Sequence, residues 1–161
     1  STAISTDMKS AAQVMFADLG TQIYYVSHGG YDTHSGELIT HGNLWGELAP
    51  AIGDFVDDVE EHGYGDDVAI LVFTEFGRRI KDNGSGTDHG SGGIAFLIGS
   101  SIKGGLYGEY PSLAPKDQLE GDLHFNNDFM ITYTSIIEDW FGLEAAPIVN
   151  GRFEKFDFFK N

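Results

Sequence analysis

Asp32-Thr33-His34 puts a carboxylate and an imidazole at i and i+2 in a turn next to Gly29-Gly30, and in extended chain that spacing lets both side chains face one ion. A second Asp and His, Asp88-His89, lie in a run punctuated by Gly84, Gly86 and Gly90. Two carboxylates and two imidazoles in separate loops make the mixed N/O donor set that Zn, Mn and related divalent ions take. Asp32, His34, Asp88 and His89 are therefore the candidate metal ligands. Glu75 follows the mostly apolar run Val68–Thr74, where a carboxylate is costly unless it binds a cation or pairs with Arg78 or Arg79. Structural roles compete with each of these: Asp32 as a turn cap, His34 satisfying a carbonyl, Asp88 as the aspartate of a glycine turn. His41 and His62 fall on a helical stretch and read as exposed structural residues. His124 sits in a loop with no assigned partner, and His28 is either a support behind the ligands or a bystander.

Several elements must bring these residues together. The spacing predicts a short amphipathic helix over 7–18, capped by Thr6 and stopped by Gly20, with Met8, Ala11, Ala12, Met15 and Leu19 on one face. Ile23–Ser27 reads as a buried strand that delivers His28, Asp32 and His34 to its carboxyl end. From Thr40 to His62 apolar residues recur at helical spacing opposite an acidic face; Gly63 ends the run, and Pro50 and Gly53 predict a bend or a break. Val68–Thr74 is apolar on both faces, as a central parallel strand is, and Ile94–Ile98 is a third strand. Between them, Asp82–Gly90 reads as a loop. Strand, helix, strand makes a βαβ unit, and three such strands imply a layered α/β sheet whose strand ends carry the site. Residues 99–125 read as irregular chain. Asn127 or Asp128 caps a last helix that Gly142 ends, and four Phe from Phe153 onward predict that the tail packs on the body.

Composition narrows the function classes. The 25 Asp and Glu against 9 Lys and Arg leave a formal charge of −16, which disfavours nucleic acid and anionic membrane as partners. No apolar run approaches the ~20 residues that span a bilayer, so no membrane span is expected. The absence of cysteine removes disulfides, zinc-thiolate sites and thiol catalysis together. A length of 161 residues fits a single α/β domain over 1–161.

Gly29-Gly30-Tyr31-Asp32-Thr33-His34, Thr74-Glu75-Phe76-Gly77-Arg78, Gly86-Thr87-Asp88-His89-Gly90 and Lys103-Gly104-Gly105-Leu106-Tyr107-Gly108, in this order, resemble the domain of unknown function 1501 family. Tyr31 stands where that family more often has Trp. The resemblance, which runs from about Ile23 to Phe159, implies membership of the alkaline phosphatase and sulfatase superfamily, with a mostly parallel sheet flanked by helices. It implies one divalent metal, Zn among the candidates, held by Asp32, His34 and His89. Glu75 stands where superfamily relatives place an Asp-His pair, which leaves a second metal open. Catalytic roles follow for Glu75, assisting at the ion, and Arg78, steadying the anionic group of a small phosphate or sulfate ester. The superfamily takes its nucleophile and one metal-binding Asp from an upstream half. The chain is therefore expected to be the carboxyl-terminal part of a larger domain with an incomplete sheet, completed by an amino-terminal portion or by homo-oligomerisation. Family members commonly carry a twin-arginine export signal, which implies a periplasmic or extracellular location. Two other readings compete: a non-catalytic binding or assembly protein with at most a structural metal, and a sugar-binding edge with Trp45 or Tyr107 as platform.

Overall fold

Helix α1 spans Ala3–Phe16 and α2 spans Glu37–Glu61. This computed structural model describes residues 2–160; Ser1 and Asn161, the ends of the domain read over 1–161, lie outside them. The chain forms two units, Ser1–Val68 with Lys81–Asp88, and Ala69–Ile80 with His89–Asn161.

In the first unit α1 begins a turn earlier than predicted. Thr2, not Thr6, is its N-cap, with the Thr2 hydroxyl accepting from the Ser5 amide at 3.3 Å. Starting there adds Ile4 to Met8 and Ala12, so the buried stripe gains a full turn. It packs on α2, where Leu48, Ala51, Phe55 and Val59 are buried. The Phe16 ring stacks on His62 at 4.0 Å, and His62 Nδ1 donates to Asp58 O at 2.8 Å, a structural use of this histidine. Helix α2 runs unbroken through Pro50 and Gly53. A proline forfeits one ladder bond, and the buried residues Leu48 and Ala51 on either side hold the helix across it. Gly63, at φ +81°, ends it as predicted.

The predicted layered, mostly parallel sheet with flanking helices, alkaline-phosphatase-like and incomplete, is not what the chain forms. The described residues carry two short antiparallel two-stranded sheets. Strand β1, Ile70–Val72, pairs antiparallel with β4, Phe96–Ile98, in the register Ile70↔Ile98, Leu71↔Leu97, Val72↔Phe96. Strands β2, Gly77–Asp82, and β3, Thr87–Gly90, form a hairpin across what the sequence reads as a loop. No described strand includes Ile23–Ser27, so there is no βαβ unit. Ile23 and Tyr25 are 74% and 79% exposed. An apolar run records that a segment is extended and partly covered; it carries no information about which strand lies beside it or in which direction.

The second unit has its own core. Ile102, Phe158 and Phe159 are buried against Ala69, Leu97, Ile136, Trp140 and Phe156. The aromatic tail packs as its composition predicts: Phe159 bridges Ile102, and the amides of Lys103 and Lys160 donate to Phe158 O and Ser101 O at 2.7 and 2.8 Å. Helix α3, Phe129–Ser135, is capped by Asp128, whose carboxylate accepts from the Met130 amide at 2.9 Å, and it widens into a π-helical turn over Ile136–Trp140. A short helix α4, Ala146–Val149, follows. Three glycines let backbones meet at the base of the hairpin. A Cβ on Gly77 would sit 1.9 Å from Gly92 O, and one on Gly90 would sit 2.7 Å from the Arg78 carbonyl. Among the described residues no helix is long and apolar enough to cross a membrane.

Candidate metal centre

The Asp32–His34 turn and the part of the hairpin from Lys81 to Asp88 belong to the first unit. The turn is held locally, with the Thr33 amide donating to Tyr31 O at 2.8 Å. The hairpin tip is built from Asx contacts: the Gly84 amide donates to Asp82 Oδ1 at 2.6 Å, the Ser85 amide to Asn83 Oδ1 at 3.3 Å, and the Asn83 amide to Gly86 O at 2.9 Å. Gly84 takes φ +107°, a conformation that glycine adopts without strain.

These two segments meet around the His34 ring. Its Nε2 lies 3.3 Å from Asp32 Oδ1 and its Nδ1 lies 3.0 Å from Asp88 Oδ1. Asn83 joins them from the hairpin, donating to His34 O at 3.0 Å and to Asp88 Oδ1 at 3.3 Å. His34 is therefore in contact with two of the other three predicted ligands, although Asp88 stands 54 positions further along the chain. Thr87, immediately before Asp88, is fixed by Glu37: its amide and hydroxyl donate to the Glu37 carboxylate at 2.6 and 2.9 Å.

A shell of aromatic and histidine side chains lies behind the turn. His28 Nδ1 is 3.0 Å from the Tyr31 hydroxyl and its Nε2 is 3.5 Å from Glu47. Burial and the Glu47 charge hold the Tyr31 hydroxyl above its ordinary pKa. His41 Nε2 lies 3.0 Å from Thr33 Oγ1 and 3.2 Å from Tyr31 O. His41 is structural but not exposed as predicted, since its side chain is 25% exposed and bound to the turn.

The remaining candidates belong to the second unit. His89, peptide-bonded to Asp88, stacks on Phe76 with ring centroids 3.9 Å apart, and the Arg78 guanidinium lies 5.2 Å from the same ring centre. Phe76 therefore touches both the His89 ring and the Arg78 guanidinium. Glu75 is in an exposed bend and has no hydrogen-bond or ion-pair partner among the described residues. The ion pair with Arg78 or Arg79 considered from sequence does not form; Arg79 instead donates to Glu120 O at 3.5 Å. The strand ends at Val72, three residues short of Glu75, so its carboxylate is not desolvated and needs no counter-charge. His124 Nδ1 donates to Phe125 O at 2.9 Å.

Asp32, His34 and His89, all exposed, make a candidate ligand group for a metal ion. The donor set fits such an ion, since one carboxylate oxygen and two imidazole nitrogens suit a borderline or hard divalent cation. Sequence reasoning missed Glu37 and Asn83. The available signal was Glu37 standing four residues before His41 at the start of a helix. The family described as Protein of unknown function (DUF1501) matches residues 7–134. No curated protein and no solved structure matches the chain.

Proposed function

Since the chain belongs to the domain of unknown function 1501 family, we propose that it is a metal-dependent hydrolase of small phosphate or sulfate esters, of the alkaline phosphatase and sulfatase superfamily, with Asp32, His34 and His89 as its ligands. The observation that carries the reading is the His34 ring between two carboxylates, with Asp32 on Nε2 and Asp88 on Nδ1. In this reading Asp88 accepts from Nδ1 and so fixes the tautomer and the ring plane, leaving Nε2 to the ion on the side where Asp32 stands. His89 enters as the residue bonded to Asp88, its ring plane set by Phe76. A divalent ion held there supplies Lewis acidity toward an ester oxygen. Arg78, kept over Phe76, meets the anionic group, and Glu75, exposed and unpaired, accepts a proton or orients water. The acidic surface favours small substrates over polyanions.

Metal content by elemental analysis, alongside hydrolysis of an aryl phosphate and an aryl sulfate, tests the proposal. Wild type is expected to hold a stoichiometric ion and to turn over at least one ester; His34→Ala and Asp32→Ala lose the ion. Chelation is expected to abolish turnover. A stoichiometric ion without turnover would replace this reading by that of a binding or assembly protein with a structural ion. No ion in zinc- and manganese-replete buffer would overturn both.

A further inference from the structure

The first two turns of α2 touch both segments that carry ligands. Glu37, in the first turn, accepts from the Thr87 amide at 2.6 Å and the Thr87 hydroxyl at 2.9 Å, and its own amide donates to Ser85 O at 3.3 Å. Those contacts fix the strand that carries Asp88. His41, one turn further on, meets the other segment through Tyr31 O and Thr33 Oγ1, the residues on either side of Asp32. A carbonyl oxygen only accepts, so Nε2 carries a hydrogen toward Tyr31, while Nδ1 turns to Glu37 Oε1 at 3.8 Å. Glu37 and His41, neighbours at i and i+4 on one helix, therefore each hold one of the two segments, through side chains that are only 16% and 25% exposed, beneath ligands that face solvent.

We infer that Glu37 and His41 are positioning residues for the ion, holding the Tyr31–His34 turn and the Asp88 strand in one arrangement before an ion arrives. The inference rests on the metal reading above. Neither residue is a ligand. Each acts through a neighbour, Glu37 through Thr87 and His41 through Tyr31 and Thr33, so that less ordering is left to be done when the ion binds.

Co2+ alone is the probe, titrated into the metal-free protein and followed by calorimetry and by its visible absorption. Glu37→Ala and His41→Ala are expected to weaken Co2+ binding by about 10–100-fold, the range found when partners behind metal ligands are removed. Both are expected to change the shape of the visible band, which a merely less stable protein with an intact site would keep. Glu37→Gln retains an acceptor for Thr87, and His41→Gln retains a donor for Tyr31 O; both are expected to recover most of the affinity. Thr87→Val removes the hydroxyl contact while keeping the shape of the side chain, and it must weaken binding in the same direction even if an alanine variant fails to fold. Equal affinity in wild type, Glu37→Ala and His41→Ala would overturn this inference and leave the metal reading standing. A wild type that takes up no Co2+ would overturn the metal reading and this inference with it.

Discussion

Tyr31 occupies the join between the candidate ligands and the layer behind them, and its ionisation reports on that layer. Burial first, and the Glu47 carboxylate second, raise its pKa above the ordinary 10.0. Above pH ~10 the unfolded chain has therefore already given up a proton that the folded chain still holds, and stability falls as pH rises; below that value the contribution is complete. Tyr31→Phe is expected to flatten this alkaline loss, as read by denaturant melts at increasing pH. Glu47→Gln is expected to bring the Tyr31 titration only part of the way back, because burial remains, and a tyrosine ultraviolet difference titration against Tyr31→Phe reads it. The candidate group itself was legible in the sequence, since Asp32, His34 and His89 announce their chemistry by type and spacing. What held them was not. Glu37 and His41 look like ordinary helix residues until the hairpin is seen to return past the start of α2, and that is a tertiary fact with no local signature.

Helices were more legible than strands for a related reason. The 3.6-residue period of α2 is written in Leu48, Ala51, Phe55 and Val59, and Gly63 marks its end. Strand partners have no such record. Val68–Thr74 looks central and parallel, yet only Ile70–Val72 pairs, with one antiparallel neighbour. The hairpin from Gly77 to Gly90 hides behind its glycines, which read as loop because they remove the alternation that a strand displays. Helix α2 also carries Gly46 and Gly53 in its interior, where an added Cβ would meet nothing within 4 Å. Its persistence then comes from the face packed on α1 rather than from propensity. Replacing either glycine by alanine is expected to stabilise the protein by roughly 0.4–1 kcal/mol, since alanine reduces the entropy of the unfolded chain and fits the helix. Thermal or urea melts of Gly46→Ala and Gly53→Ala measure it, and a loss of stability would mean that those positions touch something in solution.

At the scale of the molecule, charge is the dominant property. With −16 on 161 residues, self-repulsion opposes compaction, because 25 carboxylates face only 9 Lys and Arg such as Lys155, which pairs with Glu138 and Asp139. Added salt is therefore expected to raise the melting temperature, on the order of 2–4 °C for each kcal/mol of repulsion screened. A scanning calorimetry series in sodium chloride tests this, and a falling temperature would mean that attractive pairs outweigh the net charge. The crowded glycine backbones bear on how the whole chain tolerates change. In a saturation library scored for folded protein, Gly77 would reject every substitution, because any side chain begins with a Cβ that collides with the Gly92 carbonyl. Asp32 and His34, exposed in their turn, would accept many. A map of tolerance for this protein would thus be darkest where no chemistry occurs and palest at the ligands, and only a library scored for bound metal would reverse the shading.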